Sequence, residues 1–190
     1  MANEAAILHG VQKQYKDFTL GPIDLTIPTG TIVGLVGENG AGKSTTLRLL
    51  CGVNPADSGE ITLLGSQPSD PAVRARLGVV FEDAYFYGGL NAEQIGKSMA
   101  GIFGTRWDSG QYSALLQRFG LDLHKKISEY SRGMRMKLSL ATALAHHPDL
   151  LVLDEATAGL DPVVRSEILD LFLEFIQDEG HTLLMSSHIT

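Results

Sequence analysis

Between residues 37 and 45 the chain reads Gly-Glu-Asn-Gly-Ala-Gly-Lys-Ser-Thr, which fits the pattern G-x-x-x-x-G-K-[ST]. The apolar, β-branched residues 31–36 before it predict a buried strand, and residues 46–50 after it have the composition of a helix. This pattern requires a strand, a glycine-rich turn and a helix in that order, because loop N–H groups and a helix N-terminus must meet at one anion. The stretch therefore predicts a phosphate-binding P-loop in an α/β core.

The residue types of this loop suit a nucleoside triphosphate and its metal ion. Glycines let the backbone curl so that its N–H groups point inward, and the helix N-terminus adds positive partial charge. Lys43 can reach the β- and γ-phosphates, and the Ser44 hydroxyl suits Mg²⁺. The residues predicted to bind the nucleotide are Gly37, Asn39, Gly40, Ala41, Gly42, Lys43, Ser44 and Thr45. The alternative is a chance glycine-rich turn, which leaves both flanks unexplained.

Length and composition indicate one acidic domain with a single cysteine. The chain has 190 residues, 44% of them hydrophobic, and a formal net charge of −7. It has no run rich in Lys and Arg, so we expect no nucleic-acid partner. Cys51 is the only cysteine, which excludes an intramolecular disulfide and fits a reducing cytosol. Residues 1–30 predict no signal peptide, and no apolar run approaches the roughly 18 residues of a membrane span.

Two carboxylates follow a short apolar strand in the second half of the chain. Leu150–Leu153 are four apolar residues in a row, which predicts a strand covered on both faces in a parallel sheet. Asp154 and Glu155 come directly after it, at the end where α/β sheets bind ligands. Asp154 suits Mg²⁺ through water. Glu155 points in a different direction and can act as the general base towards a water in line with the γ-phosphate.

Polar residues also follow two other predicted strands. Glu82 and Asp83 come after the strand at 77–81, where they could approach Mg²⁺ or the attacking water; the alternative is an ordinary acidic loop. His188 ends the strand that begins at residue 181. It could sense the γ-phosphate there, although a lone histidine is more often structural or exposed.

Two further segments have both a functional and a plain interpretation. Ser131 is a good N-cap for the following helix, but capping does not explain Gly133 in the first turn, where glycine costs helix stability. A close approach by phosphate would explain both residues. Tyr15 lies in a polar stretch, where it is either a surface aromatic or a flat face on which an adenine could stack.

The remaining pattern predicts a β-rich lobe and a helical insert. Short apolar runs broken by Gly and Pro within residues 5–30, with a further strand at 59–65, predict the lobe. Helices at 91–104 and 108–119 interrupt the α/β pattern and predict a subdomain over about 84–130. The aromatic and glycine residues at 85–89 are equally explained by packing and by a docking surface for a partner.

Two helices of the second half are defined by their ends. The helix that follows Ser131 is expected to end near His146–His147, which we interpret as a C-terminus compatible with the helix dipole and not as a metal site. Asp161 and Pro162 begin the next helix. That helix is expected to run to about Glu179, because Gly180 stops it.

In this order, the motifs resemble the nucleotide-binding subunits of ATP-binding cassette (ABC) transporters over nearly the whole chain. The resemblance implies an α/β fold with a P-loop NTPase (RecA-like) core. It implies an N-terminal antiparallel β subdomain at about 1–30 and 59–66, and an inserted α-helical subdomain at about 84–130 that faces a membrane subunit. Residues 1–190 would then form a single ABC ATPase domain.

The resemblance also implies roles for individual residues. Tyr15 is similar to the adenine-stacking A-loop residue, and His188 to the switch histidine. The segment Tyr130–Met134 resembles the Leu-Ser-Gly-Gly-Gln signature, which makes Ser131 and Gly133 nucleotide-binding residues. The other matches are Asp154 as the Walker B acid, Glu155 as the catalytic base, Asp161 in the D-loop, and Glu82 in the place of the Q-loop glutamine, where it would ligate Mg²⁺.

Family members work as head-to-tail dimers, with two ATP molecules between a P-loop and the signature of the other chain. The resemblance implies an ATPase that binds ATP and Mg²⁺ and pairs with an identical or a different ABC subunit. It also implies a place at the cytoplasmic face of the membrane, through an integral permease, in an exporter-like system. The alternative is a soluble ABC ATPase that acts on ribosomes or DNA. The acidic charge, the single cassette and the lack of coiled-coil arms favour the transporter, and Glu155 argues against a module that only binds ATP.

Three features depart from the family pattern. Glu82 puts a carboxylate where the family has a neutral amide; our hypothesis is that it still ligates Mg²⁺ but slows turnover by repelling the phosphate. Arg132 adds positive charge to the signature, and Met134 removes an amide. The chain also stops two residues after His188, whereas family members continue with further strands and helices, so a truncated subunit is expected.

Overall fold

The computed structural model describes residues 4–82 and 86–188. The strands of this part of the chain are β1 (Glu4–Gln14), β2 (Thr19–Pro28), β3 (Ile32–Gly37), β4 (Ser58–Leu63), β5 (Leu77–Val80), β6 (Leu150–Asp154) and β7 (Thr182–His188). Its α-helices are α1 (Lys43–Leu50), α2 (Pro71–Arg74), α3 (Ala92–Phe103), α4 (Ser109–Arg118), α5 (Arg132–Leu144) and α6 (Pro162–Phe175). Within the same residues, none of these helices has the length and apolar character needed to span a bilayer.

The first sheet is antiparallel, with the strand order β2-β1-β4. Its buried side chains, among them Leu8 and Ile27, share one core with Leu47 of α1 and Val152 of β6. The expected N-terminal antiparallel β subdomain is therefore present. Gly21 and Pro22 are among the residues that the sequence predicts to break the apolar runs of this lobe. That prediction is wrong for these two residues, because β2 continues through them and its irregular pairing with β1 accommodates them.

The second sheet is parallel, with the strand order β3-β7-β6-β5, so the carboxyl ends of its strands lie along one edge. All residues of β6 are buried, as the apolar run predicts. The prediction that the strand before the P-loop is buried is wrong, since Ile32 and Val36 are 47% and 62% exposed. The reason is that β3 is an outermost strand of this sheet, and the face of β3 that carries these two side chains is uncovered.

The segment between β5 and β6 is helical, as expected. Asn91 caps α3 in a reciprocal pair of hydrogen bonds with Gln94, and Asp108 caps α4. The apolar faces of α3 and α4 pack with α5 in the larger core of the protein, which includes Trp107, Tyr112, Leu115, Leu116 and Phe119. Tyr85 of the aromatic loop lies outside the described residues; Phe86 packs against this core, and Tyr87 is exposed.

Helix α6 begins as expected but ends earlier than its sequence indicates. The last helical residue is Phe175, not Glu179. The chain turns instead at Asp178, whose side chain accepts a hydrogen bond from the Gly180 N–H at 2.9 Å. The ring nitrogen Nδ1 of His181 lies 2.9 Å from the Phe175 carbonyl oxygen, so a side chain satisfies one of the free carbonyls at the helix end.

His146 follows the end of α5, as expected, but its side chain is buried in the core. Its Nε2 lies 3.1 Å from the Leu77 carbonyl oxygen, and its ring stacks on Phe103 with centroids 4.0 Å apart. Burial lowers the pKa of His146, which favours the neutral ring. Its neighbour His147 is exposed and lies 3.2 Å from Asp108.

Candidate nucleotide-binding site

The loop between β3 and α1 has the backbone conformation of an anion site. Gly40 and Gly42 have φ of 82° and 87°, in the left-handed region that glycine adopts without strain. Gly42 is the N-cap of α1, and no side chain caps this helix end. The first N–H groups of α1 are therefore available to an external acceptor, which is the arrangement that binds phosphate.

Lys43 lies across this loop. Its Nζ donates to the carbonyl oxygens of Gly37 and Glu38 at 2.9 and 3.0 Å. The same atom is 3.8 Å from Glu155 Oε1, and both side chains are largely buried. The ammonium group is thus held between the loop and the carboxyl end of β6.

A small group of oxygen atoms connects the loop with the ends of β6 and β7. The Ser44 hydroxyl donates to Asp154 Oδ1 at 3.0 Å, and the Ser186 hydroxyl donates to the same oxygen at 2.6 Å. Hydroxyl and carboxylate oxygens are the ligands that Mg²⁺ prefers, with phosphates and water completing its shell. No group of three His, Cys, Asp or Glu suited to a metal occurs within residues 4–82 and 86–188. Ser44 and Asp154 therefore fit a Mg²⁺ ion that is shared with a nucleotide.

Glu155 adopts a backbone conformation that is unusual for a residue with a side chain. Its φ is +50°, a region that non-glycine residues seldom occupy and that costs on the order of 1 kcal/mol. The conformation is held by the Glu155 N–H, which donates to Ser186 Oγ at 3.0 Å. On the side chain, Oε2 lies 3.1 Å from Nδ1 of His188, while Oε1 faces Lys43. The Glu155 carboxylate is thus held from two sides.

Ser186 is a residue of this site that sequence reasoning missed. It pairs in register with Asp154 on the neighbouring strand, and it is buried. Its single oxygen accepts from the Glu155 N–H and donates to the Asp154 carboxylate. The available signal was the change from the apolar residues Leu183–Met185 to a serine near the carboxyl end of β7.

Glu82 lies at the same edge of the sheet, but its contact is with the signature segment. Val80 pairs with Leu153, so Glu82 comes two residues beyond the last pair of β5 with β6. Its Oε1 lies 3.1 Å from Arg132 Nη2. The structure therefore pairs Glu82 with Arg132, and does not bring it into the hydrogen bonds of Ser44 and Asp154. Asp83 lies outside the described residues.

Tyr15 lies in the turn between β1 and β2. Its N–H donates to the Phe18 carbonyl oxygen at 2.7 Å, and its ring stacks with that of Phe18 at 6.5 Å. Tyr15 is 39% exposed. Strand β2, which follows the turn, lies beside the P-loop, since a Cβ added to Gly42 would come 2.5 Å from Leu20 Cδ1. An exposed aromatic face is thus available close to the predicted phosphate site.

The signature segment forms the start of α5, and it lies apart from the contacts of the P-loop described above. Ser131 Oγ accepts from the Met134 N–H at 3.2 Å, as an N-cap. A Cβ added to Gly133 would meet nothing closer than Val164 Cγ1, at 3.5 Å. In the described part of the chain, these two residues therefore contact their own helix and α6, not the P-loop. Asp161 caps α6 by accepting from the Val163 and Val164 N–H groups at 3.1 and 3.0 Å.

Cys51 follows α1 and is chemically quiet. Its burial, and secondarily the charge of Asp154, raise the pKa of the thiol to about 12. The thiol therefore stays protonated near neutral pH, and we infer no nucleophilic or redox role for it.

The geometry defines the class of protein. A glycine-rich loop joins a strand to a helix, its lysine lies across the loop, and a hydroxyl–carboxylate pair suited to Mg²⁺ lies 3.0 Å apart at its side. Together these features are those of a P-loop nucleotide-binding protein. A family model described as ABC transporter matches residues 20–158. The chain belongs to the ABC transporter family, as the order of its motifs indicates.

Known proteins support this assignment. The chain is 35% identical over 176 residues to the ABC transporter ATP-binding protein NatA of Bacillus subtilis, a match that covers 88% of this chain and 70% of NatA. It is 34% identical over 182 residues to the bacitracin transport ATP-binding protein BcrA of Enterococcus faecalis, covering 93% of this chain and 59% of BcrA. A solved ATP-binding subunit of an ABC transporter has a TM-score of 0.85 and 27% identity, covering 97% of this chain and 80% of its own. The chain spans about half the length of several curated relatives.

Proposed function

We propose that the protein is the ATP-hydrolysing subunit of an ABC transporter, and that its dimer couples ATP hydrolysis to export through a membrane permease. The observation that carries the proposal is the position of Glu155, which Lys43 and His188 hold at 3.8 and 3.1 Å beside the Ser44–Asp154 pair. This is a carboxylate fixed next to a phosphate site, as a general base for water requires. The name of BcrA, which refers to bacitracin transport, supports a role in moving a substrate.

In the proposed reaction, the residues of the site act on a water and on the γ-phosphate. Glu155 accepts a proton as the water oxygen bonds to the γ-phosphorus, and the bond from that phosphorus to the β–γ bridging oxygen breaks, leaving ADP and phosphate. Lys43 and the N–H groups of the loop stabilise the negative charge. A Mg²⁺ ion held by Ser44 and, through water, by Asp154 would neutralise the β- and γ-phosphates. His188 holds Glu155 in position.

The dimer is part of the proposal, because one chain leaves the site incomplete. Ser131, which is exposed, and Gly133, which is partly exposed, lie at the start of α5 and contact their own helix and α6, not the P-loop of the same chain. In a head-to-tail dimer they would face the nucleotide of the second chain, while Tyr15 stacks on the adenine. The permease would hold the dimer at the cytoplasmic face of the membrane. ATP would drive closure because it binds the closed form better than the open one.

The direct test is phosphate release by the purified protein with Mg·ATP, together with the identity of what co-purifies with it. We expect hydrolysis and recovery with an integral membrane protein. Recovery with ribosomes or DNA would favour the alternative of a soluble, non-transport ATPase, which the transport names of the relatives do not favour. Absence of both nucleotide binding and hydrolysis would contradict the proposal.

Gly133 offers a test of the dimer, because the chain's own packing does not require a glycine there. We expect Gly133→Ala to keep or raise the melting temperature, since alanine in a helix is favoured over glycine by roughly 1 kcal/mol and the added Cβ has room. We also expect hydrolysis to fall about 10-fold or more, because the methyl group would occupy the space of a phosphate oxygen.

Gly101 in α3 is the matched control, since a Cβ there meets nothing within 4 Å and the residue lies away from the signature. Gly101→Ala should leave hydrolysis unchanged. Thermal unfolding and phosphate release, measured on both variants, test whether hydrolysis requires a glycine at position 133 although stability does not. An active Gly133→Ala protein would contradict the close approach of phosphate to α5.

Ser186 offers a test of the metal site. In Ser186→Ala, Asp154 loses a donor and the Glu155 N–H loses its acceptor. We expect the Mg²⁺ concentration for half-maximal hydrolysis to rise about 10-fold or more, because a hydrogen bond to a charged group contributes roughly 1.5 kcal/mol or more. Ser187→Ala is the control, because this side chain is exposed and, among the described residues, its hydroxyl makes only a 3.5 Å contact with the His188 carbonyl oxygen. Equal effects of the two variants would contradict a specific role for Ser186.

A further inference from the structure

Two charged residues of the predicted site that depart from the family pattern, Glu82 and Arg132, contact each other. Glu82 stands where the family has a neutral glutamine, and Arg132 stands where its signature has a glycine. Arg132 Nη2 lies 3.1 Å from Glu82 Oε1. The two residues are far apart in the sequence, on either side of the helical segment, so only the fold brings them together.

The position of the Arg132 side chain is constrained from a second direction. Gly159, in the turn after β6, has φ of +65°, and a Cβ added to it would come within 2.8 Å of Arg132 Nη1. The guanidinium group therefore lies between the end of β5 and the turn that follows Glu155. It joins α5, which carries the signature, to the edge of the sheet where Asp154 and Glu155 end β6.

The charge balance at this edge gives the contact its significance. Val80 pairs with Leu153 in the parallel sheet, so Glu82 and Glu155 each come two residues after the last pair of two neighbouring strands. An unpaired carboxylate there would repel the phosphates of a nucleotide. The pair formed by a carboxylate and a guanidinium carries no net charge, and in this respect it is equivalent to a neutral glutamine.

We propose that Arg132 is a positioning residue that neutralises Glu82 at the edge of the nucleotide site, so that the ion pair replaces the neutral amide of the family. The proposal rests on the proposed ATPase function and revises the hypothesis that Glu82 slows turnover by repelling phosphate. Glu82 has that effect only when Arg132 is absent. Glu82 and Arg132 each depart from the family pattern, and their opposite charges compensate each other.

The test is a double-mutant cycle with Glu82→Gln and Arg132→Gln, in which the KM for Mg·ATP and kcat are measured for all four proteins. We expect Arg132→Gln alone to raise KM about 3- to 10-fold, with a smaller change in kcat, because it leaves Glu82 as an unpaired anion. Adding Glu82→Gln should restore KM towards the wild-type value. In the wild-type background, Glu82→Gln should lower KM by less than it does in the Arg132→Gln background, or should raise it.

Two further measurements separate charge from structure. The KM increase of Arg132→Gln should shrink at 0.5 M salt, because salt screens a half-exposed anion. Arg132→Lys, which keeps the charge, should retain a lower KM than Arg132→Gln. Neither result is expected if Arg132 only supports the fold.

The outcomes are distinct for the two proposals. Additive effects of the two substitutions, or a KM increase that salt leaves unchanged, would overturn the compensation while hydrolysis by the wild-type protein still supports the ATPase. A wild-type protein that neither binds nor hydrolyses Mg·ATP would overturn the proposed function, and the ion-pair proposal with it.

Discussion

Glu155→Gln is expected to reduce phosphate release by about 10²- to 10⁴-fold, the usual contribution of a general base. Glutamine preserves the shape of the side chain but cannot accept the proton of the attacking water. Nucleotide binding should persist, because the loop and Lys43 are untouched. We therefore expect the variant to accumulate as an ATP-bound dimer, measured by light scattering with Mg·ATP alongside a phosphate-release assay.

The control for Glu155 is a carboxylate outside the site. Glu174 is exposed and pairs with Arg118 on the surface, with oxygen-to-nitrogen distances of 2.5 and 2.7 Å. Glu174→Gln should leave hydrolysis unchanged and shift unfolding only slightly, because exposed ion pairs contribute about 0–1 kcal/mol. Unchanged hydrolysis in Glu155→Gln would remove this residue from the role of base.

Lys43→Met is expected to weaken ATP binding about 10- to 100-fold, since a hydrogen bond to a charged group contributes roughly 1.5–3 kcal/mol. The variant keeps an unbranched side chain of similar length but removes the ammonium group that would meet the phosphates. It also removes the cation 3.8 Å from Glu155, so hydrolysis should fall further than binding alone accounts for. Titration with a fluorescent ATP analogue and single-turnover hydrolysis measure the two effects separately.

Lys97 provides the matched lysine for this experiment. It is exposed on α3 and pairs with Glu93 at 2.8 Å, one helical turn away. Lys97→Met should leave nucleotide affinity as it is in the wild type. If Lys43→Met also binds ATP with wild-type affinity, the loop is not the phosphate site.

Local sequence patterns predicted most of the fold correctly. Asn91, Asp108 and Asp161 begin helices because their side chains accept hydrogen bonds from N–H groups a few residues away, which is a local interaction. The run Leu150–Leu153 is buried because parallel strands covered on both faces have few polar residues. Where a property depends on distant neighbours, the patterns misled for β3, which is an edge strand, and did not show that His146 stacks in the core on Phe103.

The sequence by itself determined the P-loop, the carboxylates that end β6 and the order of the family's motifs, because each of these depends on residues that are adjacent in the chain. Only the tertiary structure decided which polar groups meet. The parallel register places Ser186 against Asp154, and the packing of α5 places Arg132 against Glu82. These contacts depend on strand order and on the direction of side chains from separate elements, and no local pattern carries that information.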